Sequence, residues 1–185
     1  YVGKAVFENS TFDSNYVHIS GDCCANGGAA INVQTFYDSI IVRNTKFRYN
    51  KIYKPDGNDG GRAEGGAIHI RGGYGDVEIT NSLFEGNSGE SGLDAWSTGS
   101  EDREAYGGAI KIDLVNYWEN NNVIHVYQSI ITNNTFVNNQ ILGSGTRSGR
   151  GGAIYFGGSQ KATLFNNIFW GNRGNNFGSD STNHE

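Results

Sequence analysis

The sequence predicts an all-β fold, a right-handed parallel β-helix of about five coils in a single domain. Two short motifs alternate strictly along the 185 residues, and the distances between them are nearly constant. Within the motif regions apolar and polar residues alternate with a period of two, which is the side-chain period of a β-strand. Repeats with periods of roughly 20 to 50 residues are typical of solenoids, in which each unit buries its apolar face against its neighbours.

The first motif is Asn-x-x-Phe-x-x-Asn, which occurs five times. Its phenylalanines are Phe12, Phe47, Phe84, Phe136 and Phe169, and its closing asparagines are Asn15, Asn50, Asn87, Asn139 and Asn172. We predict that the phenylalanines stack in one internal file and that the asparagines form a ladder of side-chain amides. Asparagine tolerates left-handed backbone and bonds to nearby backbone groups, so both ends of the motif are predicted to be turns.

The second motif is Gly-Gly-Ala-Ile-x-apolar, which occurs three times and once as a Gly-Ala-Ala-Ile variant. Its isoleucines, which are predicted to form a second internal file, are Ile31, Ile68, Ile110 and Ile154. Glycine permits a corner with positive φ just before the strand begins. Successive strands are then parallel, and the usual chirality of parallel crossovers makes the helix right-handed.

The spacing between motifs defines the domain organisation. One domain spans 1–185, with repeats at about 5–50, 51–87, 88–139 and 140–172 and a polar tail at 173–185. From each motif isoleucine to the next phenylalanine the distance is 16, 16, 26 and 15 residues. The third coil therefore carries an insertion of about ten residues, roughly Val115 to His125.

Three segments exceed the length of a minimal coil and are candidates for binding loops. They are Ile52 to Glu64, Ser88 to Tyr106, and Val115 to His125. The loops contain Tyr53, Trp96 and Trp118, and exposed aromatic residues in polar loops favour contact with carbohydrate or protein. The alternative is that the insertions only cover the shaft.

Composition excludes several classes of protein. The chain contains 28 Gly and 23 Asn, and both residues are unfavourable inside helices, so a helical bundle is excluded. No apolar stretch is long enough for a membrane span, and no signal peptide is recognisable, so we expect mature or excised material. The net charge is −5 without a basic cluster, and nucleic acid and anionic membranes are therefore not expected partners.

Neither the cysteines nor the acidic loops predict a definite chemical site. Cys23 and Cys24 are adjacent, so a vicinal disulfide, pairing with other chains and two reduced thiols all remain open. We expect no cofactor. A glycine-rich loop offers oxygen ligands for calcium at Asp56, Asn58 and Asp59, but it lacks the bidentate glutamate that closes a calcium loop of the EF-hand type.

The alternating Gly-Gly-Ala-Ile and Phe-x-x-Asn motifs resemble the repeats of polymorphic outer-membrane proteins and related bacterial surface proteins with a right-handed β-helix. The resemblance covers about residues 5 to 176. It implies a secreted or surface-displayed region with an adhesive or structural role. The chain departs from that pattern in its length, because passengers of this kind are usually much longer, and no barrel domain or sorting signal follows Asn172.

The leading interpretation is therefore a non-catalytic module of the extracellular space or the cell surface. We expect as its partner a host or cell-surface protein, a glycan, or further copies of the chain. No amphipathic capping helix is recognisable at either end, so two alternatives stay open: the chain continues in the intact protein, or copies join end to end into a fibre by strand addition.

The alternative is an enzyme that acts on acidic glycans, like the polysaccharide lyases and hydrolases that share this fold. One predicted column of outward-facing residues contains Asn32, His69, Lys111 and Tyr155, with Gln34, Arg71 and Asp113 beside it. Lysine or arginine could abstract a proton next to a uronate carboxylate, with tyrosine or histidine assisting. A column alone does not make a cleft, so we expect these residues to form a solvated sheet face.

Overall fold

The computed structural model describes residues 2–19, 26–54, 62–91, 105–119, 122–143, 149–158 and 160–174. In these residues the chain forms 25 strands and no helix. The predicted parallel β-helix is confirmed, because five sheets each consist of parallel strands contributed by successive coils. A sixth, two-stranded sheet is an antiparallel hairpin.

Each coil passes in turn through five sheets, which we number in chain order. Sheet 1 contains β1 (Val2–Glu8), β6 (Phe36–Arg43), β11 (Asp76–Thr80), β18 (Gln128–Thr132) and β23 (Lys161–Phe165). Sheet 2 contains β2 (Thr11–Asp13), β7 (Lys46–Arg48), β12 (Leu83–Glu85), β19 (Thr135–Val137) and β24 (Ile168–Trp170). Sheet 3 contains β3 (Tyr16–His18), β8 (Lys51–Lys54), β13 (Ser88–Ser91), β20 (Gln140–Leu142) and β25 (Arg173–Gly174).

The remaining two sheets complete the coil on either side of the glycine corner. Sheet 4 contains β4 (Asn26–Gly27), β9 (Ala63–Glu64), β14 (Ala105–Tyr106) and β21 (Gly149–Arg150). Sheet 5 contains β5 (Ile31–Gln34), β10 (Ile68–Gly73), β15 (Ile110–Leu114) and β22 (Ile154–Gly158). Most strands are only two to five residues long, as expected for a wall that turns five times per coil.

The five motif phenylalanines lie in one file in sheet 2. Neighbouring ring centroids are 5.0, 4.9, 4.7 and 4.9 Å apart, and the ring planes are parallel to within 7°. The three central rings, those of Phe47, Phe84 and Phe136, are fully buried. The motif isoleucines of sheet 5 pair in register in the same way; Ile31, Ile68 and Ile110 belong to the same core cluster, and Ile154 is partly buried and packs against it.

The closing asparagines form a continuous amide ladder next to the phenylalanine file. In the first four coils Nδ2 donates to Oδ1 of the asparagine one coil further on, over 2.8 to 2.9 Å. From the second coil onward, the same Nδ2 also donates to the main-chain carbonyl of the motif phenylalanine in the preceding coil. These side chains therefore satisfy buried polar groups at a corner of the wall where strand pairing stops.

The backbone turns at both ends of the first motif, as predicted. The motif's first asparagine adopts φ between 50° and 58° in every coil, at Asn9, Asn44, Asn81, Asn133 and Asn166. At the other end the left-handed residue is the one before the closing asparagine, for example Gly86 with φ of 62°. The closing asparagine thus contributes through its side chain, because its own backbone is not left-handed.

The glycine corner requires glycine for two separate reasons. Gly65, the first glycine of its pair, has φ of 65°. A Cβ on the second, Gly66, would lie 2.1 Å from the carbonyl oxygen of Gly108 in the next coil. The first position therefore requires glycine because its backbone is left-handed. The second requires glycine because the neighbouring coil approaches too closely for a Cβ atom.

The insertion of the third coil contains the antiparallel hairpin, formed by β16 (Tyr117–Glu119) and β17 (Asn122–His125). It interrupts the coil between sheets 5 and 1. In the part of the chain that the structure describes, no helix has the length and apolar character needed to cross a membrane.

Candidate functional site

The polar column suggested as a catalytic face lies in sheet 5, and only part of it faces solvent. Asn32, His69, Lys111 and Tyr155 do pair in register across four strands. However, His69 is fully buried and Lys111 is only 6% exposed. The expectation of a solvent-facing column was wrong for these two residues because sheet 4, which precedes the glycine corner, packs its own side chains against them.

Lys111 is the centre of a buried charged cluster. Its ammonium nitrogen lies 2.5 Å from Oε1 of Glu64 and 2.8 Å from Oδ2 of Asp113. Glu64 belongs to sheet 4 of the preceding coil and has 1% of its side chain exposed, whereas Asp113 lies two residues along the same strand as Lys111. Removing two opposite charges from water is costly, and close mutual pairing offsets that cost.

His69 adjoins the cluster as a neutral side chain. Its Nε2 lies 3.3 Å from Oε2 of Glu64, but neither ring nitrogen makes a hydrogen bond. Burial, followed by the positive charges of Lys111 and Arg71, lowers the pKa of His69 to about 3. A protonated ring is therefore disfavoured at neutral pH even beside Glu64, whose other carboxylate oxygen is bonded to Lys111.

Aromatic rings close the remaining side of the cluster. The ammonium of Lys111 lies 5.0 Å from the ring centroid of Tyr106, and Arg62 lies 5.8 Å from the same centroid. The rings of Tyr106 and Tyr155 are 4.5 Å apart. Lys111 is thus enclosed by two carboxylates and a tyrosine, and this geometry does not present it as a base to a polymer arriving from solvent.

Three other members of the proposed catalytic set do not converge on Lys111. Asn32, Gln34 and Arg71 are exposed on the outer face of sheet 5. Arg71 is in register with Gln34 and Asp113, but the carboxylate of Asp113 pairs with Lys111.

A second site, which the sequence interpretation missed, is an open cleft where the hairpin meets the shaft. Three tyrosines from successive coils form its aromatic part: Tyr37, Tyr74 and Tyr127. The rings of Tyr37 and Tyr74 stack at 5.6 Å, and the ring of Tyr127 stands edge-on to Tyr74 at 6.4 Å. His125, at the end of the hairpin, lies 4.5 Å from the ring of Tyr127.

A signal for this cleft was present in the sequence. Tyr74 follows Tyr37 by the same 37 residues that separate Phe84 from Phe47. The spacing alone places the two tyrosines one above the other on neighbouring coils. The contribution of His125 could not be found in this way, because it depends on how the inserted hairpin folds back onto the shaft.

Of the three predicted binding residues, Tyr53 and Trp118 lie in described strands. Tyr53 is half-buried, with the Lys51 ammonium 5.2 Å from its ring and His18 at 5.8 Å. Trp118 belongs to β16 of the hairpin. Six predicted residues lie outside the described part of the chain: Trp96, Cys23, Cys24, Asp56, Asn58 and Asp59. Among the residues that are described, no group of three His, Cys, Asp or Glu side chains is arranged to hold a metal ion.

Comparison with protein-family models, with curated proteins and with solved structures finds no match to this chain. The functional argument therefore depends on the residues and their geometry.

Proposed function

We propose that this chain is a non-catalytic structural module of an extracellular or cell surface, and that its coils stack end to end with those of further copies to form a fibre. The main support is the state of the last coil. Leu164 in β23 is 44% exposed, whereas Ile131 and Ile79, which occupy the same column in the two preceding coils, are fully buried. Among the described residues nothing covers the core position of Leu164, and a further coil stacked on this one would bury it.

The amide ladder supports a specific direction of stacking. At the last coil Asn172 uses Nδ2 only to bond the Phe136 carbonyl, so the donor that points onward along the ladder has no acceptor among the described residues. At the first coil nothing in the described part of the chain donates to Oδ1 of Asn15, although Asn15 itself donates to Asn50. The first coil of one copy thus supplies the acceptor that the last coil of another lacks.

The apolar columns are compatible with the same contact. Phe12 and Phe169 stack on Phe47 and Phe136, respectively, and each is the end member of its file. The first and last coils also carry Phe7 and Leu164 in the same column of sheet 1. A head-to-tail contact between copies would continue both columns, and because the two surfaces differ, the assembly would not close.

The buried cluster favours a structural role over catalysis. Lys111 and His69 are the two residues of the polar column best suited to proton transfer, and both are shielded from solvent. The placement outside the cell, and an adhesive role on a surface, rest on the resemblance of the repeats to those of surface proteins. An assay of uronate polymers for β-elimination tests the enzymatic alternative, and turnover that disappears in Lys111→Met would contradict the proposal.

A charged substitution in the last coil tests the fibre. We expect the unchanged chain to form filaments with an axial repeat of about 24 Å per copy, which follows from five coils spaced ~4.8 Å apart. Leu164→Lys should abolish them, because a lysine ammonium would be placed in an apolar column between copies. Electron microscopy and sedimentation velocity at several protein concentrations provide the measurement.

Ile130→Lys is the matched control. Ile130 lies in the neighbouring strand of sheet 1, one coil away from the end, and its side chain is 38% exposed. This variant should assemble like the unchanged chain, and circular dichroism should show that both variants remain folded. A monomer at every concentration, or equal assembly of both variants, would contradict end-to-end stacking.

A further inference from the structure

The buried charged cluster holds an amine and a carboxyl group at the distance of two reactants. Nζ of Lys111 lies between two carboxylates, 2.5 Å from Oε1 of Glu64 and 2.8 Å from Oδ2 of Asp113. The carboxyl carbon of Glu64 is one bond beyond Oε1, so it lies near the separation of about 3 to 3.5 Å from which a nucleophile attacks. An amine and a carboxyl group in this arrangement are the reactants of amide formation.

Burial distinguishes this pair from the ion pair between Lys51 and Glu90. The side chains of Lys111 and Glu64 are 7% and 1% exposed, whereas those of Lys51 and Glu90 are 42% and 37% exposed. Because a charge removed from water is costly, burial favours transfer of a proton from the ammonium to the carboxylate. The transfer yields a neutral amine, which is a nucleophile, beside a neutral carboxylic acid.

Condensation of the two groups would remove unfavourable features of the cluster. Oε2 of Glu64 is buried and accepts no hydrogen bond from the described residues. An amide bond from Nζ to the carboxyl carbon expels one of the two carboxyl oxygens as water. It also replaces two buried opposite charges by one neutral group, and so removes the desolvation cost that opposes a buried ion pair.

We infer that Lys111 and Glu64 form an intramolecular isopeptide bond, which links sheet 4 of one coil to sheet 5 of the next. The ammonium first passes a proton to the Glu64 carboxylate. The amine then attacks the carboxyl carbon, and Asp113 accepts a second proton from the nitrogen. Asp113 returns that proton to the hydroxyl group of Glu64, which leaves as water. One N–C bond forms, one C–O bond breaks, and Asp113 ends as a carboxylate beside the new amide N–H.

The positions of the two carboxylates assign their roles. Glu64 is the more deeply buried, with 1% of its side chain exposed against 20% for Asp113. Asp113 lies two residues along the same strand as Lys111 and retains contact with solvent, which suits a group that accepts and returns a proton. Glu64 is therefore the acceptor of the bond, and Asp113 is the catalytic residue.

The bond would join positions 47 residues apart in the sequence. A covalent link of this kind persists in the unfolded chain and restricts its conformations, as a disulfide does. Both residues lie in internal coils, so the inference does not depend on contacts at the ends of the rod or on the formation of a fibre.

Mass spectrometry of the denatured full chain tests the bond. We expect a mass that is lower than that of the sequence by one water molecule. Trypsin should leave the chain uncleaved after Lys111 and yield one branched peptide that joins Lys111 to Glu64. The full sequence mass in a folded chain, or a loss of water that maps to any other pair of residues, would overturn the inference.

Substitutions test the two roles. Lys111→Met should have the full mass of its own sequence. Asp113→Asn should form the bond at least about tenfold more slowly, because it removes the group that carries the proton. The fraction of joined chain at successive times after cell-free synthesis measures this rate, and circular dichroism shows whether the variant is folded. A folded Asp113→Asn chain that joins as fast as the unchanged chain would refute the role of Asp113.

Lys51 provides the matched control. Its Nζ lies 2.9 Å from Oε2 of Glu90 in the next coil, in an exposed pair. Lys51→Met should lose one water molecule as the unchanged chain does, and trypsin should cleave the unchanged chain after Lys51. If Lys51 is joined to Glu90 as completely as Lys111 is joined to Glu64, proximity alone drives the reaction and the argument from burial is wrong.

Discussion

The phenylalanine corner and the glycine corner lie in the same coils but are built on opposite rules. At the phenylalanine corner every coil contributes the same residue to each column, so rings stack on rings and amides bond to amides. At the glycine corner the backbone repeats, but the side chains beside it differ from coil to coil, and a buried ion pair joins Glu64 of one coil to Lys111 of the next. A solenoid can thus contain a polar cluster that occurs in only one place, provided that repeated columns such as the stacked phenylalanines stabilise the coils.

The largest expected loss of stability comes from a substitution at the phenylalanine corner. Phe84→Ala should destabilise the chain by about 4 kcal/mol, because it leaves a cavity between two stacked rings in a fully buried file. Urea unfolding followed by circular dichroism measures this loss. Phe165→Ala is the control, since Phe165 is 70% exposed on the outer face of the last coil and should change stability by no more than about 0.5 kcal/mol. Equal losses for both would mean that the file does not carry the fold.

The next largest loss of stability comes from a substitution in the charged cluster beside the glycine corner. Lys111→Met should cost about 3 kcal/mol, because it leaves the Glu64 carboxylate buried without its main partner. The control is Arg48→Met, which removes a cation from the exposed pair with Asp13 and should cost only about 0 to 1 kcal/mol. Adding Glu64→Gln to Lys111→Met should restore part of the loss. If the double variant is as unstable as the sum of the singles, the two side chains are not coupled.

The last effect, which is absent at neutral pH and develops only on acidification, concerns the protonation of His69. Its pKa is about 3 in the folded chain and 6.5 as the ordinary value. Above pH 6.5 the ring is neutral in both states and contributes no pH dependence. As the pH falls from 6.5 towards 3, the unfolded chain binds a proton that the folded chain excludes, so folding loses up to about 1.4 kcal/mol per pH unit.

His69→Asn isolates this contribution, since asparagine occupies the same column at Asn32. Unfolding free energies measured between pH 7 and pH 4 should fall more steeply for the unchanged chain than for the variant. Parallel curves would mean that His69 accepts a proton in the folded state, and the description of it as a neutral buried ring would then be wrong.

Much of the architecture could be predicted from the motifs, and the reason is local. Phe47 and Asn50 recur at the same phase in every coil because each position has the same environment above and below it. Left-handed backbone at Asn44 and at Gly65 is likewise a property of the residue and its immediate neighbours. Identical local demands repeated five times are visible in a sequence without any knowledge of contacts.

The charged cluster could not be predicted in this way. Lys111 and Asp113 alternate with buried isoleucines, a pattern that in most sheets places them in solvent. The burial of Lys111 depends on Glu64 and Tyr106, which lie on a different sheet and, for Glu64, on a different coil. Likewise, His125 reaches Tyr127 only because the inserted hairpin folds back onto the shaft.

The sequence by itself determined the coil, its corners and the columns that stack along the rod, because those features depend on residue types repeated at a constant phase. Only the tertiary structure decided which polar side chains are buried, which charges are paired and where an open cleft remains. The physical reason is that pairing and solvent exposure depend on the angle between neighbouring sheets and on the path of the insertion. Neither quantity is encoded in the phase of the repeat.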